Sequence, residues 1–137
     1  MNIAEIKLDI LDLISRHSHA IDGTDPNAYS DLYTESGTYI SRIDGKETIH
    51  GRGKKELSEY AACLYEERGN DQPRHHLRNT IFLSVSDTRV STATYFLATN
   101  VPGKGGLAVV TATGIYHDDM VLTENVWKIE KRIAVYD

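Results

Sequence analysis

The stretch "RHHLRNTIFLSVSDTRVSTATYFLATN", residues 74–100, decides the fold. Both halves are rich in β-branched and aromatic residues, and Asp87-Thr88 interrupts them. That composition, with a short polar break, reads as two antiparallel strands. The pattern continues downstream in "LAVVTATGIYHDDMVL" (107–122) and "VWKIEKRIAVYD" (126–137), set off by "VPGKGG" and a second short break. Residues 74–137 therefore predict a meander of four strands.

Upstream, "GTYISRIDGKETIHGRG" (37–53) predicts a fifth and a sixth strand around Asp44-Gly45, a strong hairpin signal. Helical spacing governs the rest. Ile3, Ile6, Ile10, Leu13, Ile14, His17 and Ile21 recur along one side of residues 3–22. Glu5, Asp9, Asp12, Arg16 and His19 fill the opposite sector, which predicts an amphipathic helix stopped at Gly23. Asp25 before Pro26 predicts an N-cap and the first position of a short second helix, to about Thr34. Tyr29, Leu32 and Tyr33 would form its apolar side. "KKELSEYAACLYEER" (54–68) predicts a third helix with Leu57, Tyr60, Ala61 and Leu64 on one face. Cys63 reads as a small core residue.

Helices segregated from an antiparallel sheet mean an α+β fold. Residues 1–137 read as a single domain, with no repeat or low-complexity tract. A curved sheet with the helices across its concave side would enclose a pocket.

Composition narrows the function. The chain has 137 residues, 40% hydrophobic and 26% charged, with net charge −5. An acidic balance without a basic stripe argues against nucleic acid as a partner. No apolar run reaches the length of a membrane span, and the N-terminal segment has neither the pattern of a signal peptide nor that of a membrane-surface helix. A single cysteine excludes an internal disulfide and a cysteine-only zinc site. These features point to the cytoplasm.

The titratable residues are the chemical candidates. Asp22 ends the first helix, where the macrodipole disfavours a carboxylate by about 0.3–1 kcal/mol. A regular helix would turn it inward. His75 and His76 are neighbours on a strand and point to opposite faces, so they make a poor metal pair. Parity groups His75 with Leu77, Asn79, Ile81 and Leu83, the face taken as inward. His75 is then either a core histidine bonded to a carbonyl or a base in a pocket. His17, on the apolar stripe, reads as a buried, hydrogen-bonded histidine or a pocket wall. His19, His50 and His117 read as facing away from the interior. Tyr33, Tyr39 and Tyr116 either pack in the core or present a hydroxyl to a ligand. Arg132 either holds an anionic group or pairs with a surface acid. Trp127 and Ile129 alternate as core residues.

In order and spacing, "AIDGTDPNAYSDLYTESGTYI", "DGKETIHGRG", "RHHLRN", "GIYHDD" and "VWKIEKR" resemble the SnoaL-like domains of the nuclear transport factor 2-like superfamily. The resemblance covers nearly the whole chain. It implies a cone-shaped α+β barrel: a curved, mainly antiparallel sheet with three N-terminal helices around a pocket. The pattern is most similar to the branch containing scytalone dehydratase and hexachlorocyclohexane dehydrochlorinase. There an aspartate ending the first helix holds a histidine that removes a proton from carbon. Asp22 and His75 match that pair, and Asn79 matches an asparagine four residues after the histidine. Ile21 stands where the dehydratase has a tyrosine, and "STATYFLATN" lacks its second histidine.

The resemblance thus implies a cofactor-independent lyase (dehydratase-like) or isomerase without a metal. Asp22 and His75 would be catalytic, and His17, Tyr33, Tyr39, Asn79, Tyr116 and Arg132 would bind substrate. The ligand would be a small, mostly apolar molecule, and the assembly a homodimer or homotrimer. The alternative is a non-catalytic small-ligand-binding module of the same fold.

Overall fold

The computed structural model describes residues 2–137. In chain order the elements are α1 (Ile3–Asp22), α2 (Pro26–Ser30), β1 (Tyr33–Ile43), β2 (Lys46–Arg52), α3 (Gly53–Arg68), β3 (Gln72–Val85), β4 (Arg89–Val101), β5 (Val109–Thr123) and β6 (Val126–Tyr136). One six-stranded sheet runs β2-β1-β6-β5-β4-β3. The expected meander β3 to β6 is antiparallel throughout. The hairpin β1–β2 joins it through a parallel pairing of β1 with β6. The sheet is curved and open, an α+β architecture in which the helices cover the concave side.

Local chemistry explains most boundaries. The Asn2 side chain accepts from the Ala4 amide at 2.8 Å and starts α1. Asp25 does the same for α2, accepting from Asn27 at 3.0 Å, with Pro26 at the first position. Asp44 and Gly45 both take positive φ, 52° and 76°, as a two-residue hairpin turn of the primed type requires.

Strand parity then fills the core. Val90, Thr92, Thr94, Phe96 and Ala98 of β4, and Gly114, Tyr116, Asp118 and Met120 of β5, alternate inward. Ile6, Ile10, Leu13 and Ile14 of α1 pack against this face with Trp127 and Ile129 of β6.

Five expectations need correcting. Gly23 does end α1, but at φ −85°, so no left-handed glycine is involved. The second helix stops at Ser30: the Ile129 amide bonds to the Leu32 carbonyl at 2.9 Å, and pairing with β6 draws Tyr33 into β1. The α1 stripe is shorter than its spacing implied: Ile3 is exposed at the start of the helix, and Leu8 and Leu11, which lie off the stripe, are exposed as well. Cys63 is exposed, since α3 buries only Leu57 and Ala61 completely.

The fifth correction concerns β3. Asn79 has φ 57°, and the β3–β4 register shifts between Arg78 and Ile81. Such a bulge exchanges the two faces beyond it. His75 and Leu77 point inward as expected, but Ile81 and Leu83 are each 59% exposed. Phe82 takes the inward side, with the Lys7 ammonium 5.0 Å from its ring centroid. Ile81, Leu83, Tyr95, Leu97 and Val110 give strands β3 to β5 an exposed apolar face. No helix among the described residues is long and apolar enough to cross a membrane.

Candidate active site

A cavity of about 250 Å³ opens between the ends of α1 and α3 and the concave sheet face. Its walls include His17, His75, Tyr39, Tyr116 and Arg68, with Ile21, Leu64 and Pro73 supplying apolar surface. It lies just below the usual range for ligand pockets, which suits a molecule of one or two small rings.

The rim belongs to Asp22 and His75. The last turn of α1 directs the buried Asp22 toward the start of β3. One carboxylate oxygen accepts from the His75 backbone amide at 2.8 Å, and the other lies 2.6 Å from His75 Nδ1. A carboxylate is an acceptor only, so Nδ1 carries the hydrogen and Nε2 the lone pair. Nε2 makes no hydrogen bond among the described residues, and the ring lines the cavity.

An acid at a helix C-terminus is offset here by donors from α3 and β3. Tyr65 donates its hydroxyl to the Ala20 carbonyl at 2.5 Å. Arg68 donates to the carbonyls of Ile21 and Gly23. Gln72 donates to that of Asp22 at 3.3 Å. The guanidinium thus stands where the macrodipole is negative and pins both sides of Asp22.

The floor is a second network, fully buried. Arg132 Nε and Nη2 donate to the two Asp118 oxygens at 2.7 and 2.8 Å, and both side chains are wholly shielded from solvent. Arg132 Nη1 lies 2.8 Å from His17 Nδ1. A guanidinium only donates, so Nδ1 of His17 must accept and Nε2 must carry the hydrogen. Nε2 in turn sits 2.9 Å from the Tyr33 hydroxyl, which lies 3.3 Å from that of Tyr29. Burial, then the Arg132 charge, then His75 hold His17 well below the ordinary imidazole value. It stays neutral. Burial disfavours the Arg132 charge, but Asp118 outweighs it and raises the value.

Tyrosines fill the space between rim and floor. Burial is the first cause raising the phenols of Tyr29, Tyr39, Tyr60 and Tyr116, which keeps them protonated. Tyr39 packs against His50 and Tyr60, with ring centroids 5.2 and 5.5 Å away.

Of the residues singled out from the sequence, Asp22 and His75 meet, and His17, Tyr39 and Tyr116 line the same cavity as His75. Tyr33 and Arg132 lie one layer behind it, bonded to His17. Asn79 is apart: it is exposed and serves the β3 bulge. Arg132 pairs with a buried acid, not a surface one. Sequence reasoning missed Asp118 and Arg68 and gave Tyr29 only a packing role on the second helix. Asp118 was legible by parity, two residues after the inward Tyr116; Arg68 had no comparable signal. No group of three or more His, Cys, Asp or Glu side chains among the described residues could hold a metal ion.

Comparisons with known proteins agree with this architecture. The family model described as a SnoaL-like domain matches residues 3–133. Aln2 from a Streptomyces species is 21% identical, covering 100% of this chain and 94% of its own, with TM-score 0.84. ActVI-ORFA from Streptomyces coelicolor is 16% identical over 97% of this chain and 98% of its own, with TM-score 0.82. Rv3472 of Mycobacterium tuberculosis, of unknown function, is 23% identical over 99% and 78%, with TM-score 0.81. No curated protein matches the chain. Likeness at these identities carries the fold alone, whereas the family model spans nearly every residue from α1 to β6: the chain belongs to the SnoaL-like domain family.

Proposed function

We propose that this protein is a lyase or isomerase that removes a proton from carbon, with His75 as the base and Asp22 as the group that orients it. The observation that carries the reading is the two-point hold of Asp22 on His75, through Nδ1 at 2.6 Å and the backbone amide at 2.8 Å. It leaves Nε2 as the basic atom in a small cavity. A carboxylate on Nδ1 fixes the tautomer and stabilises the imidazolium once it forms.

In the step, Nε2 takes a proton from a carbon beside an electron-withdrawing group. The C–H electron pair moves into the substrate. In an isomerase, the imidazolium returns the proton at another carbon. In a lyase, a β-leaving group departs with its electron pair, and the imidazolium gives its proton to that group or to water. Apolar walls favour a mostly apolar cyclic substrate. The exposed apolar face on β3 to β5 would be the contact in a homodimer or homotrimer.

The test is hydrogen exchange. Ring ketones such as cyclohexanone and 2-tetralone, incubated with the protein in heavy water, should gain deuterium beside the carbonyl. His75→Ala should lower the rate by about 10²–10⁴-fold, the usual contribution of a positioned base. Asp22→Asn should lower it as well while the fold is kept. An unchanged rate in His75→Ala would overturn the assignment. Tight binding without exchange would make the pocket a binding module.

A further inference from the structure

Tyr116 stands out among the hydroxyls around the cavity. Tyr29 is engaged by Tyr33, Tyr39 and Tyr60 lie against each other, and Tyr136 is partly exposed at the end of β6. Tyr116 is deep, 4% exposed. Its hydroxyl bonds to no described residue. The buried polar atoms without a partner among the described residues are Ser18 Oγ, Thr92 Oγ1 and Trp127 Nε1. Tyr116 is not one of them, so its oxygen faces the open cavity.

The ring is fixed from two sides. Phe96 of β4 stacks on it at 4.3 Å and 17°. From β6, the guanidinium carbon of Arg132 lies 4.0 Å from its centroid. The register requires this: Tyr116 pairs with Thr94 and Ala134, so Phe96 and Arg132 are its diagonal neighbours on opposite strands. Arg132 has no access to the cavity, because its prongs are taken by Asp118 and His17. Its charge reaches the site through the π-face of Tyr116. A cation on that face favours electron density leaving the hydroxyl hydrogen and strengthens the phenol as a donor. Burial raises the phenol overall, so the hydrogen stays on the oxygen.

We propose that the Tyr116 hydroxyl is a catalytic hydrogen-bond donor, binding the substrate oxygen while His75 takes the proton from the adjacent carbon, and that the site therefore selects ring ketones and related carbonyl compounds. The inference rests on the proton-abstraction reading above. When His75 Nε2 removes the α-hydrogen, the C–H pair becomes the enolate double bond and the carbonyl π pair moves onto oxygen. The Tyr116 O–H then donates to that oxygen. Arg132 acts through Tyr116 as a positioning residue. Because the interaction strengthens as charge develops, it serves the transition state more than the bound ketone.

The experiment compares Tyr116→Phe with wild type, using Tyr95→Phe on the outer face as a control. Phenylalanine keeps both ring contacts, so thermal unfolding should change little. Deuterium exchange into 2-tetralone should fall about 10²-fold at saturating ketone, with the ketone KM nearly unchanged. Tyr95→Phe should match wild type. Equal exchange in Tyr116→Phe and wild type would overturn the proposal.

Binding of 4-nitrophenolate, an oxyanion on a ring, is followed by its absorbance and needs no turnover. Tyr116→Phe should weaken it by about tenfold or more. If wild type exchanges no ketone but binds the phenolate in a Tyr116-dependent way, proton abstraction fails and the donor assignment stands. Binding indifferent to Tyr116, or no binding at all, overturns the donor assignment as well.

Discussion

His75 at the rim of the cavity and His17 at its floor are both held through Nδ1, one by a carboxylate and the other by a guanidinium. The residue type is the same and the consequences are opposite. Asp22 accepts, so His75 keeps its lone pair on Nε2 and gains support for a positive charge. Arg132 donates, so His17 spends its lone pair on Nδ1 and turns an N–H toward Tyr33. Burial adds to the contrast. His75 is partly open, with 23% of its side chain exposed against 6% for Asp22, whereas Asp118 and Arg132 are sealed. A histidine in a pocket therefore cannot be read as a base from its presence alone. What sits on its other nitrogen decides.

The largest stability difference between the two regions should come from removing one partner of each. Arg132→Ala leaves Asp118 buried without its cation and should cost about 3–5 kcal/mol in urea unfolding. Asp22→Asn at the rim should cost about 1–2 kcal/mol, because the amide oxygen still accepts. Equal costs would erase the distinction between a sealed floor and a partly open rim.

A smaller effect should appear in the pH dependence of stability. The native state keeps His17 neutral, whereas the unfolded chain protonates it near pH 6.5. Below that value the unfolded state binds the extra proton. Stability is thus complete above about pH 6.5 and falls by about 1.4 kcal/mol per pH unit as the pH drops, until native His17 also protonates. His17→Gln should reduce that slope in urea melts across the acidic range. Part of the dependence should survive through His50, half-buried and shifted in the same direction by burial. An undiminished slope in His17→Gln would place the titration elsewhere.

How legible was this in the sequence? Strand periodicity located every strand of the sheet, because alternation on a half-buried face is a local signal. Asp44-Gly45 located the hairpin for the same reason. Asp22 was legible as an oddity, an acid at a helix end that normally disfavours one. The face of His75 was also legible, but only up to Asn79, since a left-handed bulge has no signature in alternation. Arg68 was invisible as a cap because its partners, the carbonyls of Ile21 and Gly23, lie more than forty residues away. The role of Arg132 depended on Asp118, and parity could have supplied that pairing, since both lie on inward positions of adjacent strands. Cys63 misled for a simpler reason: a mostly polar helix lies on the sheet with one thin stripe, and a small residue can stand beside that stripe in water.

The central claim, that two partners give two histidines opposite polarity, is tested most directly by nitrogen NMR of the imidazole rings. The measurement uses ¹⁵N-labelled protein at mildly alkaline pH, with assignments from His17→Gln and His75→Ala. The account predicts the hydrogen on Nδ1 of His75 and on Nε2 of His17, seen as reversed pairs of protonated and unprotonated nitrogen shifts. The same tautomer in both rings, or a hydrogen on Nε2 of His75, would contradict it.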